Sequence, residues 1–158
     1  MSDGLQSLDV GQSPTMTMSV DPIGYVRSSF TDTHPGPEKI DFSEQEARIE
    51  VLPQYAGGLK NMSSMVGREL VVIFLFHKAM GRKCNLVVRP HHDETREPRG
   101  VFATRCNKRP NGLGLSTVKL VAVESETVIR VRGLDAVDGT PVVDIKPESC
   151  CSYQGSLS

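Results

Sequence analysis

The apolar residues of this chain fall in short Val- and Ile-rich runs with Gly, Pro, Asn and Asp between them. No segment sustains a helical period. Runs of this kind fit strands bounded by turns. Eight are expected, over 23–28, 47–52, 69–76, 85–89, 101–104, 117–123, 127–131 and 141–145. Ser125-Glu126 is short enough to close a hairpin, and Asp138-Gly139 is a turn signal. A short helix over 54–65 competes with Gly57-Gly58. Many short strands with irregular joins predict an all-β fold, either sandwich or barrel. Closure removes vulnerable sheet edges, so a small closed, antiparallel-rich β-barrel with long loops is expected.

A length of 158 residues suits one domain with tails. The barrel is expected over 20–147, with flexible tails over 1–19 and 148–158. Residues 1–19 hold no Lys or Arg and no apolar core. Neither a secretory signal nor an Arg-rich mitochondrial leader is therefore expected, and the expected location is cytoplasmic. The longest clean apolar run, Leu70 to Phe76, falls far short of the roughly 20 residues of a membrane helix. Cysteines at 84, 106, 150 and 151 form no Cys-x-x-Cys pair and read as free thiols.

Several chemistries fail on spacing. Gly112-Leu113-Gly114 lacks the third glycine and the following helix of a dinucleotide loop, which argues against a Rossmann-type fold. His91-His92-Asp93-Glu94 has no complementary ligand cluster, so no metal site is expected. No serine or cysteine triad is evident.

Charge is more informative. Between Arg82 and Arg109 stand eight basic residues and three acids, although the whole chain carries −1. A global nucleic-acid wrapper is excluded, but a local stripe for an anionic partner is not. The alternative is a solvated loop whose charges point apart. Aromatics make up only 5% and Trp is absent, so a stacking surface built from several rings is not expected.

Longer motifs carry a family resemblance. They are Ile23-Gly24-Tyr25-Val26-Arg27-Ser28, then Arg99-Gly100-Val101-Phe102-Ala103-Thr104-Arg105, Arg109-Pro110-Asn111 and Gly114-Leu115-Ser116. Gly133-Leu134-Asp135 and Asp138-Gly139-Thr140-Pro141 through Pro147 complete the set. In order and content this resembles the TsaA-like, or TrmO, family. The resemblance implies a β-barrel that binds S-adenosylmethionine. It also implies N6-methylation of threonylcarbamoyladenosine, the base 3′ of the tRNA anticodon. A homodimer with the cofactor near the subunit interface is implied too, with no DNA or membrane partner.

Carried over by position, the implied cofactor pocket comprises Pro37, Glu38 and Lys39 of the first long loop, and His77-Lys78 after the central strand. Arg105, Leu115 and the loop Val137, Asp138, Gly139 and Thr140 complete it. The residue types suit the ligand. Arg105 can pair with a carboxylate. Leu115 can pack on adenine, and Gly139 permits close backbone approach. Asp138-Gly139 is equally a plain tight turn on spacing alone. Methyl transfer needs mainly alignment. His77 is the candidate proton acceptor. Arg96, Arg99, Lys108 and Arg109 are the candidate RNA contacts.

The chain departs from the family pattern in places. Gly112-Leu113 stand for Pro-Ile, Glu38-Lys39 stand where Arg and Gln are frequent, and Glu69 stands for a His. Longer members continue after the barrel into a region that helps bind tRNA. The alternative function is a non-catalytic S-adenosylmethionine- or RNA-binding module with a sensing or regulatory role.

Overall fold

A computed structural model describes residues 16–31, 41–89 and 93–149. Its strands are β1 (Gly24–Arg27), β2 (Glu46–Val51), β3 (Glu69–Leu75), β4 (Val87–Val88), β5 (Arg99–Gly100), β6 (Leu113–Val123), β7 (Val128–Arg132) and β8 (Pro141–Pro147). Six of them close a barrel in the order β1-β2-β7-β6-β3-β8, and every pairing is antiparallel. β4 and β5 form a separate two-stranded flap. The expected all-β barrel is therefore the observed fold, and no α-helix occurs among the described residues.

Period-two patterning drives the closure. On β2, Ala47, Ile49 and Val51 point inward while Glu46, Arg48 and Glu50 face water. Leu70, Val72 and Phe74 of β3 meet Val118 and Leu120 of β6 and Ile129 and Val131 of β7 in one core. A one-residue slip of register would turn these side chains out to solvent, so the register is firmly specified.

The barrel's outer surface has two characters. Around β2 and β7, Arg48 of β2 pairs with Glu124, just past the end of β6, at 2.6 Å, and Arg132 of β7 pairs with Glu46 of β2 at 2.8 Å. Such exposed pairs contribute little stability, but they keep that face wet. Across β3 and β6, the outward pairs are Val71↔Thr117, Ile73↔Leu115 and Leu75↔Leu113. Leu113 and Leu115 are 45% and 47% exposed, so this face is apolar and open.

Four elements differ from the sequence reading. Residues 101–104 are not a strand: Val101–Ala103 form a 3-10 turn, and β5 precedes it. The Val101 carbonyl accepts both the Thr104 N–H and its hydroxyl, a local closure that competes with strand pairing. The run 85–89 shrinks to the two residues of β4. β6 starts at Leu113, four residues before the expected 117, because Gly114 pairs with Phe74 instead of turning. The segment 54–65 is helical only as 3-10 turns, Pro53–Leu59 and Met62–Met65.

Candidate functional site

Three pieces of chain meet at one end of β3 and β6. The first is Phe76-His77-Lys78, which leaves β3. Its direction is set by the Phe76 N–H, which donates to the Gly112 carbonyl at 2.8 Å. The second is the 104–109 loop. The third is the connection from β7 to β8, Gly133 to Thr140. Together they line a cleft of about 780 Å³, within the range of small-molecule sites. Phe42, Phe76, Leu113 and Leu115 give it an apolar wall, and Arg105 and Lys78 add positive charge.

Among the sequence-derived cofactor residues, the structure brings together His77, Lys78, Arg105, Leu115, Val137 and Thr140 around this cleft. Asp138 and Gly139 do not line it. The Asp138 carboxylate accepts the Ser28 N–H at 3.1 Å, and the Gly139 N–H donates to the Val26 carbonyl at 2.8 Å. Gly139 takes φ +78°, which glycine adopts without strain. Thr140 is 2% exposed and its hydroxyl donates to the Val137 carbonyl at 2.7 Å. The loop is thus anchored to β1 and presents its Val137 and Thr140 ends. Pro37, Glu38 and Lys39 lie outside the described residues, as do His91, His92, Cys150 and Cys151.

Electrostatics sort the polar groups. Burial, then repulsion from Lys78, hold the His77 imidazole below its ordinary pKa, against a smaller opposing pull from a hydrogen bond with the Leu75 backbone. His77 is therefore neutral at physiological pH. Lys78 reaches across to the Thr31 carbonyl. Arg105 has no ion pair among the described residues. Asp135 has surface along the cleft, yet crowding by protein pushes its carboxyl pKa up. It too has no ion-pair partner among the described residues.

A second, wider cleft of about 1340 Å³ adjoins the first, and Thr104, Arg105, Asn107 and Asp135 line both. Arg89, Arg96 and Arg99 supply its charge. Of the four candidate RNA contacts, Arg96 and Arg99 fall here. Arg96 pairs with Asp93 at 3.4 Å, whereas Arg99 has no ion pair among the described residues. Lys108 lies apart, beside Asn85 and Val87. Arg109 lines the first cleft, and its guanidinium donates to the Thr104 and Cys106 carbonyls at 2.7 and 3.2 Å, which braces the loop.

Sequence reasoning did not select Phe76, Asn107 or Asp135. Asp135 stood within a quoted motif but had no assigned role. Phe76 and Asn107 carried no signal of their own. No group of three or more His, Cys, Asp or Glu able to hold a metal occurs among the described residues.

Residues 25–150 match the model of the tRNA-methyltransferase O N-terminal domain. The chain belongs to this family. An Archaeoglobus fulgidus protein named S-adenosyl-L-methionine-binding protein is 40% identical over 140 residues, covering 87% of this chain and 96% of that one. The Escherichia coli tRNA (adenine(37)-N6)-methyltransferase is 32% identical over 131 residues, covering 79% of this chain and 55% of that enzyme. A crystal structure of TrmO superposes with a TM-score of 0.65 at 34% identity, over 90% of this chain and 62% of that one. Against two further curated relatives the chain spans only 35% and 55% of their length. The cleft described above lies within the part of the chain that matches this family.

Proposed function

We propose that this chain is an S-adenosylmethionine-dependent methyltransferase acting on N6 of an adenosine in tRNA. The finer reading is threonylcarbamoyladenosine 3′ of the anticodon, modified by a cytoplasmic homodimer, with residues 20–147 as the working domain. One observation carries it: a ligand-sized cleft with an apolar wall, and with an arginine that has no ion pair among the described residues, shares Thr104, Arg105, Asn107 and Asp135 with an arginine-lined cleft. A methyl donor and a polyanion can therefore meet at one wall.

The residues present suit the donor. Leu115 and Phe76 offer apolar surface to the adenine, and Arg105 offers a fork to the carboxylate. Pro37, Glu38 and Lys39 are proposed as further contacts to the ligand, with Lys78. Val137 and Thr140 hold its edge, and Asp138 and Gly139 act by fixing that loop to β1. When bound there, S-adenosylmethionine would supply a sulfonium-activated methyl group for N6, its sulfur departing as a neutral thioether. The N6 proton must leave, and His77, which lines the cleft, is our candidate to accept it. The rest of the catalysis is alignment. Arg96 and Arg99, with Lys108 at greater distance, are proposed to hold phosphates. Arg109 contributes by bracing the loop.

The apolar β3–β6 face supports the homodimer, since Ile73, Leu113 and Leu115 would be covered in it. The same face adjoins the cleft through Leu113 and Leu115.

A second reading is supported by the Archaeoglobus relative of matching length whose name states binding alone. The barrel would then bind the nucleoside without transferring its methyl group. Thermal unfolding with S-adenosylmethionine, followed by methyl transfer to tRNA, separates the two. At about 100 times the dissociation constant the ligand contributes about 2.7 kcal/mol. For a protein of this size that raises the midpoint by roughly 5–10 °C. A shift together with label in tRNA N6-methyladenosine supports the enzyme. A shift without transfer leaves the binding module, and no shift at saturation defeats both.

A further inference from the structure

Phe102 stands 78% exposed in a chain that covers most of its other rings. Its backbone is fixed. Val101 beside it is 1% exposed, and the Val101 N–H donates to the Leu86 carbonyl at 2.8 Å. The Val101 carbonyl accepts the Thr104 N–H and hydroxyl at 3.1 and 2.9 Å. The Thr104 hydroxyl oxygen in turn accepts the Cys106 N–H at 3.2 Å. The turn therefore presents the ring from a braced platform. That ring lines the second cleft together with Arg89, Arg96, Arg99 and Arg105.

A flat apolar face amid guanidinium groups is the pairing that unpaired nucleotides use. The base stacks on the ring, and the flanking phosphates meet the arginines. We propose that the second cleft is a binding site for one unpaired RNA nucleotide, with Phe102 stacked on its base and Arg96 and Arg99 on its phosphates. This rests on the tRNA half of the function proposed above and deepens it. Because Arg105 and Asn107 line both clefts, the stacked nucleotide sits beside the position of methyl transfer.

A protein partner fits less well. The cleft's four arginines are opposed by two acids, Glu97 and Asp135. In a two-fold contact with a second copy, like charge would face like charge. A polyanion removes that conflict. Other unpartnered apolar surface, on β3 and β6, has no comparable charge around it and belongs to the proposed dimer.

The test uses an anticodon stem–loop RNA carrying 2-aminopurine on the 3′ side of the anticodon, with a fully paired RNA duplex as control. Wild type, Phe102→Ala and Phe102→Trp are titrated by fluorescence and anisotropy. Phe102→Ala is expected to weaken stem–loop binding about tenfold, from a stacking loss of the usual size for one base. Phe102→Trp is expected to keep it, and duplex binding should not change. The S-adenosylmethionine thermal shift should be the same in all three, which verifies folding.

Equal stem–loop affinity in wild type and Phe102→Ala would overturn the proposal. So would a wild type that binds no RNA. A change of oligomeric mass in Phe102→Ala with unaltered RNA affinity would assign the ring to a subunit contact instead. RNA binding that depends on Phe102 without methyl transfer would leave this site standing while the methyltransferase reading falls.

Discussion

The Asp138 carboxylate accepts a hydrogen bond from the Ser28 N–H at 3.1 Å, across 110 positions of sequence. With the Asp138 N–H on the Phe30 carbonyl at 2.6 Å, it ties the loop before β8 to the end of β1. Asp138→Ala leaves the half-buried Ser28 N–H without its partner. The expected loss is about 1 kcal/mol in urea unfolding. Asp138→Asn keeps an accepting oxygen and should keep the stability. Ligand affinity should fall in the alanine variant only, since Val137 and Thr140 then lose their anchor. An equal loss in both variants would mean that the charge, and not the bond, matters.

This bond marks where sequence reading stops. The barrel was legible because alternation on β2 and β3 dictates which side chains are buried. Loop side chains obey no such period. Asp138-Gly139 reads as a turn, which it is, but the direction of its carboxylate depends on a strand over a hundred residues away. Asp135 shows the converse. Nothing in its spacing marks it, yet packing places it where both clefts meet. The strand expected from 117 begins at Leu113, because Gly114 lies against Phe74 within the β3–β6 pairing, a contact that no spacing in the sequence marks.

Gly114 owes its place to a ring. A Cβ at this position would lie 2.3 Å from the Cε2 atom of Phe74. Phe74 is 3% exposed and meets Phe76 edge-on, with centroids 5.4 Å apart. It therefore has little room to yield. Gly114→Ala is expected to cost about 1–3 kcal/mol by overpacking. It should also displace Phe76 on the cleft wall and weaken S-adenosylmethionine binding. Adding Phe74→Leu should recover part of the stability, as a double-mutant cycle in urea would show. Strict additivity of the two changes would argue against direct contact.

His77 predicts a pH profile. Its imidazole is held below the ordinary value, so it is less than half protonated at pH about 6.5. Methyl transfer at saturating substrates should keep more than half its rate at that point and fall to half only below it. Stability follows the same sign. The fold disfavours the protonated ring, so the His77 contribution is complete above the unfolded pKa. It is lost as pH falls through the lower folded value. His77→Gln should remove this limb from both profiles while leaving the ligand-induced thermal shift largely in place. A wild-type rate that falls off above pH 6.5, and does so equally in His77→Gln, would remove His77 from proton transfer.

Ile73 tests the assembly. It lies on the outer face of β3, paired with Leu115 on one side and Asp144 on the other. Ile73 does not line the cleft, but its neighbour Leu115 does. A glutamate at this position is tolerable on a wet barrel face and intolerable within an apolar interface. Ile73→Glu should therefore give a folded monomer by light scattering, with its midpoint close to that of wild-type protein diluted below its dimer dissociation constant. If the partner subunit completes the cofactor site, the S-adenosylmethionine shift should fall in the same variant. Asp144→Ala, at the charged margin of that face beside Lys146 at 2.9 Å, should change neither readout by much. A dimer that survives Ile73→Glu would move the interface elsewhere on the barrel. A monomer that still binds the nucleoside at full strength would place the whole cofactor site within one chain.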